Sequence, residues 1–311
     1  MPINREKALV VSTLLLMGTF TSVSNAETVE DAYRKANGGT LFMLNDYMLR
    51  SGRYEIGSGD SDDAEIQNIS VPGTYFFGEE GDDFRPYILG AVGYSHYERD
   101  DIRFDNGERG DIDNESLYLK AGGGIKYAIN PELSILTGIS ATGLFANGGF
   151  DNDTPVSQKT KDLLQSDDTS WLVDLYSTLL VHPEPKEYKP YIAATLHYTS
   201  IYFDPESVND MHGWSANLRG GFFTHELTRI WGMPVIEEVY ANISVVDSDL
   251  SDMTGFDTSM TAGTEFYWKV GSLMPLPMLK ELDVTFTLQG TVSNTDMSGY
   301  NIGFGLSLLK F

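Results

Sequence analysis

From residue 69 onward, apolar residues recur at every second position in stretch after stretch. Ile69, Val71, Tyr75 and Phe77 share one parity. Leu117, Leu119, Ile125 and Tyr127 alternate with Lys120, Gly122, Gly124 and Lys126. Trp171, Val173, Leu175 and Leu179 alternate with Asp174, Tyr176 and Thr178. The same beat runs through 133–145, 192–198, 214–222, 239–245, 260–268 and 282–288. Near the end, Tyr300, Ile302, Phe304, Leu306 and Leu308 alternate with Asn301, Gly303, Gly305 and Ser307. A period of two predicts β-strands with one apolar face and one small or polar face. Tyr87 to Tyr97 is apolar on both faces. So is Thr40 to Arg53, counted as a first strand with a partly helical course as its other reading.

This makes about twelve strands, many long enough to cross a bilayer when tilted. Strands of a soluble sandwich are usually shorter. The expected fold is therefore all-β, a transmembrane antiparallel β-barrel of about twelve strands. The connections fall into two classes. Odd-numbered ones cover 54–65, 98–115, 146–169, 202–211, 247–256 and 293–299; even-numbered ones cover 78–84, 129–131, 183–187, 226–234 and 271–280. The three longest are odd-numbered and the shortest is 129–131. Long connections outside and short ones inside fit an outer-membrane barrel with both chain ends in the periplasm.

The first residues read as a secretory signal. Arg5 and Lys7 precede a largely apolar run from Ala8 to Met17, and Ser24-Asn25-Ala26 gives a small-x-small cleavage pattern. That run is too short to span a bilayer. Glu27 to Asn37 suits a short helix, acidic early and basic late, closed by Gly38-Gly39. It could sit in the barrel lumen or hang in the periplasm. The division of the chain is thus 1–26 signal peptide, 27–39 helix and 40–311 barrel.

Composition narrows the reading. The chain has no Cys, which excludes disulfides and thiolate metal sites. It has 45 acidic and 21 basic residues. Cleavage after Ala26 removes Glu6, Arg5 and Lys7, leaving 44 and 19. So acidic a chain repels nucleic acid. The six long-class connections hold 25 of those 44 acids and only five basic residues, so the acidity gathers on one rim. Asp60, Asp62 and Asp63 in one connection, and Asp100, Asp101, Asp105, Asp111 and Asp113 in another, could draw divalent cations. Their spacing matches no EF-hand loop, and a solvated acidic rim is the plainer reading.

No enzyme motif emerges. His182, His197, His212 and His225 lack an HExxH spacing, and His197 and Ser200 lie on opposite parities. An outer-membrane phospholipase would need Ser and His together, and a protease would need Asp with His; only His212 near Asp210 hints at the latter. The inward parity carries Lys120, Lys126, Asp174, Arg219, Glu238, Glu265, Lys269 and Asp283. Their mixed signs suit pairing across a lumen better than an anion-selective lining. The expected arrangement is Arg219 between Glu238 and Glu265, with Lys269 extending it from Glu265. Trp171 and Trp214 are expected at the outer interface and Trp268 at the inner one.

The last strand, with Phe304, Leu306, Leu308 and a terminal Phe311, resembles the assembly signal of outer-membrane barrels. Leu309 and Phe311 are out of phase with Leu308, which calls for a slip such as a bulge. Signal peptide, short helix, about twelve strands and terminal Phe together resemble the translocator domain of autotransporters. There a helix occupies the lumen of a twelve-stranded barrel and joins it to an N-terminal passenger. Between Ala26 and Thr40 this chain has no room for one, so it reads as a solitary autotransporter-like barrel, and the secretion role is not carried over. The resulting expectation is a monomeric, non-enzymatic, cofactor-free barrel in a Gram-negative outer membrane. It would be inserted by the barrel-assembly machinery, contact membrane lipid and lipopolysaccharide, and serve as a structural protein or narrow pore. The alternatives are a channel for small solutes and a lipid or peptide hydrolase.

Overall fold

The computed structural model describes residues 27–45, 51–56, 64–79, 81–152, 155–165, 167–182, 189–273, 282–294 and 297–307. The signal segment 1–26, Leu308 and Phe311 lie outside the described residues. The strands are β1 (Ser51–Ile56), β2 (Ala64–Phe76), β3 (Phe84–Arg103), β4 (Arg109–Asn130), β5 (Leu133–Asp151), β6 (Asp167–Val181), β7 (Lys189–Phe203), β8 (Met211–Phe223), β9 (Thr228–Ile230), β10 (Met233–Val246), β11 (Thr258–Trp268), β12 (Asp283–Ser293) and β13 (Met297–Ser307). All but β9 form one closed antiparallel ring in chain order. β10 pairs with both β8 and β11, and β13 pairs back on β1, with Arg53 opposite Tyr300 and Ile56 opposite Met297. Closure removes the free sheet edges. The three-residue β9 continues the β8 side of the β8–β10 hairpin, pairing Ile230 with Met233.

In β2 to β8 and β10 to β12 one parity is largely exposed and apolar. Ile69 is 66% exposed, and Ile139, Leu175, Leu196 and Leu218 stand out alike. A belt of this kind marks a lipid-facing wall. No described helix is long and apolar enough to cross a membrane. β3, β4 and β5 have 20, 22 and 19 residues, more than a tilted crossing needs, and project beyond the belt at the end with the long connections. We call that the outer end.

The helix differs from the sequence expectation. It is not closed at Gly38-Gly39. α1 (Val29–Tyr33) passes into a π-helical stretch (Arg34–Gly39) and on into α2 (Thr40–Asn45). Thr40 to Asn45 is thus helical, in line with the partly helical reading; Ser51 to Arg53 of the proposed first strand fall in β1, which runs on to Ile56, and 46–50 lie outside the described residues. The reason is packing. A Cβ on Gly38 would come within 2.4 Å of Met253 Sδ and 2.9 Å of Phe203 Cζ, so the glycine admits a close approach instead of ending the helix. Thr28 caps the start, its hydroxyl accepting from Asp31 N–H at 3.0 Å. Arg34 and Lys35 fall mid-helix and turn back to Asp31 and Glu27, at 2.8 and 2.6 Å.

The helix fills the outer half of the lumen. Glu27 adds to the outer β3–β4 hairpin, its N–H donating to Arg103 C=O at 3.2 Å and its own carbonyl accepting from Asp105 N–H at 3.0 Å. From there the helix runs inward. Ala32, Tyr33, Ala36 and Leu41 are buried against inward-facing Ile66, Tyr97, Tyr118, Leu144, Leu172 and Ile201. Two short helices in outer connections complete the cover. α3 (Gln158–Leu164) contributes Leu163 and Leu164, and α4 (Ser248–Thr254) contributes Leu250 and Met253.

Candidate functional site: the lumen below the plug

Inward of the helix the lining changes from aliphatic to hydroxyl-bearing and charged. Its wall is set by cross-strand pairs of Tyr with Gly. Tyr87 lies opposite Gly124, Tyr176 opposite Gly138, Tyr191 opposite Gly221 and Tyr240 opposite Gly263. A Cβ on Gly124 or Gly138 would meet the tyrosine hydroxyl at 2.6 Å, so each ring lies across the neighbouring strand only because that strand has no side chain there. Tyr87 thus spans β4, Tyr176 spans β5, and their hydroxyls meet at 2.8 Å. One hydrogen bond ties β3 to β6.

A second cluster spans β7 to β12. Buried Glu238 accepts from the Arg219 guanidinium at 2.5 Å, from Tyr267 OH at 2.7 Å and from Tyr191 OH. Arg219 Nε also donates to Tyr191 OH at 2.7 Å, and the guanidinium lies 3.8 Å from the centre of the Tyr240 ring. Tyr240 OH in turn donates to Gln289 at 2.5 Å. The charge is matched, and both carboxylate oxygens of Glu238 have donors, as a buried ion pair requires. On β6 and β7, Asp174 accepts from Thr199 Oγ1 at 3.1 Å and lies 2.9 Å from His197 Nδ1.

The eight expected lining charges fall on strands or just beyond strand ends, and the pairs seen among the described residues differ from the expected arrangement. Arg219 goes to Glu238, while Glu265 stands directly across the β10–β11 register from Glu238 and is 2% exposed. Lys269 meets Asp283 at 3.2 Å instead of extending from Glu265. Asp174 pairs with His197. Lys120 and Lys126 lie on the inward parity of β4, between exposed Leu119, Ile125 and Tyr127. Phe304 and Leu306 lie in β13, opposite Phe286 and Val284 of β12. Trp171 and Trp214 are about half exposed near the outer ends of β6 and β8, and Trp268 closes the inner end of β11. The five tyrosine partners were missed, because tyrosine on a polar parity looks like any other strand residue. So was His96, 3.3 Å from Asp113 and 3.7 Å from Glu98 on the outer part of β3.

Comparison with known proteins bears on the fold. A family model described as the OprF membrane domain matches residues 23–157, less than half of the chain. The transport unit of the autotransporter AIDA-I from Escherichia coli superposes with TM-score 0.53 at 12% identity, covering 90% of this chain and 98% of that one. The β domain of the Bordetella autotransporter BrkA gives TM-score 0.49 at 12% identity, covering 82% and 96%. No curated protein matches the sequence. The fold is an autotransporter-like β-barrel, and its place is the outer membrane of a Gram-negative cell. The outer end therefore faces the cell exterior and the inner end the periplasm.

Proposed function

We propose that the chain is a non-enzymatic, self-plugged outer-membrane barrel with an acidic extracellular rim, structural in role and conducting at most as a narrow pore. The observation that carries this reading is the two-storey closure of the lumen. A helix whose apolar side chains are buried in the wall fills the outer half, and a cluster centred on Arg219 and Glu238 braces the inner half. A solute channel would need a continuous wet path, and both storeys oppose it. The Asp174–His197 pair resembles two members of a hydrolytic triad, but its third partner is Thr199 donating to the same carboxylate, an arrangement that braces the wall. Assembly by the barrel machinery and a monomeric state belong to the same proposal, as does the attraction of divalent cations to the acidic rim.

Planar-bilayer recording of the purified protein tests it. The expected result is rare, small openings, converted to large steady ones when residues 27–45 are deleted. A steady porin-like conductance in the intact chain would overturn the plugged reading and put the solute channel in its place.

A further inference from the structure

The hairpin joining β8 to β10 breaks a local rule at its tip. Its central residues, Trp231 and Gly232, have φ of 51° and 81°, both left-handed. A two-residue hairpin turn of this kind favours Asn-Gly or Asp-Gly, because a bulky side chain strains the first position. Trp231 accepts that strain with little packing in return. It is 82% exposed, the most exposed large apolar residue among those described, and its neighbours Leu227 and Ile230 are 50% and 44% exposed. A strained, exposed aromatic that the fold does not need points to something outside the fold.

The tip is not free to swing. Trp231 packs on Trp268, ring centres 5.1 Å apart, and Trp268 Nε1 donates to Ile230 C=O at 3.2 Å. Met233 and Val235, on the strand that leaves the tip, are buried. Trp268 ends a strand whose outward face carries Met260 into the lipid belt. The exposed tip is therefore continuous with the lipid-facing wall, at its periplasmic border. Indole rings settle in the head-group layer, where an apolar body and one N–H donor are both satisfied.

We propose that the Trp231 hairpin is an interfacial anchor that seats the periplasmic rim of the barrel on the phospholipid head groups of the inner leaflet. The β8–β10 turn would then fix the depth of the barrel where the wall is held by the Arg219–Glu238 cluster just above.

The test uses the full chain folded into phosphatidylcholine vesicles, with Trp171, Trp214 and Trp268 replaced by Phe. The probe is lipid brominated either near the head group or in mid-chain. The expected result is Trp231 emission blue-shifted from that of free tryptophan, and quenched more by the shallow bromine than by the deep one. Water-like emission, indifferent to both lipids and fully quenched by acrylamide, would overturn the proposal. If the triple variant does not fold, the difference between the wild type and Trp231→Asn in the same vesicles gives the same reading. Asn suits the turn, so that variant should fold. If Trp231 is water-like in vesicles and protected only in native envelope fragments, a periplasmic protein is the partner and the lipid anchor is wrong.

Discussion

The two halves of the lumen are closed by opposite chemistry. The outer half is closed as a soluble core is closed: aliphatic and aromatic wall residues bury the small and apolar face of the helix, whose charged residues Asp31, Arg34 and Lys35 stay partly exposed, and water is excluded by area. The inner half is closed by specific pairs, in which tyrosines reach over glycines and one carboxylate collects three donors. The first kind of closure tolerates repacking and fails in proportion to the volume removed. The second is all or nothing at each group, because an unmatched charge there keeps its full desolvation penalty. A plug that docks from the outer end can thus be a separable piece, while the inner bracing belongs to the wall.

The sharpest way to break this contrast is Arg219→Ala. It leaves Glu238 buried with two hydroxyl donors and no cation. Removing one partner of a buried pair costs about 4 kcal/mol, so thermal unfolding in detergent should move down strongly. The double change Arg219→Met with Glu238→Leu should recover part of that loss, since no unmatched charge remains, although Tyr191 and Tyr267 lose Glu238 as an acceptor. Should Arg219→Ala leave the melting temperature untouched, the inner half is wet and the contrast disappears.

The next largest effect belongs to the outer half. Leu41 is fully buried between helix and wall. Leu41→Ala should cost about 3 kcal/mol through lost burial and a residual cavity. Its signature should differ from that of Arg219→Ala. The helix should exchange its amides faster and the bilayer openings lengthen, while the β7–β12 strands keep their protection. Equal loosening of both regions would mean that helix and wall are one cooperative unit.

The lipid face was legible from sequence because a bilayer permits no exceptions to alternation, as Leu175, Leu196 and Leu218 show. The plug was half legible. Tyr87 to Tyr97 is apolar on both faces, and its inward Tyr97 packs in the core around the helix; Ile201 and Val246, inward beside outward Tyr202 and Val245, mark the same contact. The true end of the helix was hidden because Gly38-Gly39 reads as a stop when only the local chain is considered, whereas Met253, more than two hundred residues away, is what requires it. α3 and α4 were missed although Ser157 and Asp247 cap them and Gly255, φ 77°, ends α4. Single seven-residue helices leave too little periodicity to rise above a loop. Arg219 and Glu238 were legible as neighbours on adjacent hairpin strands. The Lys269–Asp283 pair was not, since it depends on the path and register beyond a connection the sequence does not specify.

A smaller effect sharpens the inner half alone. Tyr87→Phe removes one hydroxyl from the 2.8 Å bond to Tyr176 and leaves the ring over Gly124. The loss should be about 1 kcal/mol, the net value of one hydrogen bond. Gly124→Ala should cost more than Tyr87→Phe, because the new Cβ would clash with the hydroxyl and with Thr137 C=O. If Gly124→Ala is the milder of the two in urea unfolding, the tyrosines do not depend on the glycine path.

The smallest expected effect is an acid response confined to the mouth. Two glutamates outside the membrane fasten α3 at the mouth: Glu30 ties it to the plug helix and Glu108 ties it to the β3–β4 connection. Glu30 is held below the ordinary carboxylate range, first by its bond from Lys159 Nζ at 2.6 Å. Glu108 is also lowered: burial pushes it up, but the Thr160 hydroxyl and the Ser157 N–H, which both donate to it, outweigh that. A carboxylate whose folded value is depressed contributes stability above its unfolded value and loses it as pH falls through the folded one. Both contributions are therefore complete at neutral pH and fade in acid. Both sites are exposed enough for solvent and salt to screen them, so the change is modest. Hydrogen exchange corrected for its intrinsic pH dependence should show residues 27–35 losing protection between about pH 6 and pH 3, while β3 to β5 hold theirs. High salt at neutral pH should mimic part of the loss. Lys159→Ala should blunt the acid response at Glu30, because the pair is already broken. A helix that keeps its protection down to the pH at which the whole barrel unfolds would show that apolar burial alone retains the plug, and that the charged mouth is ornament on a dry core.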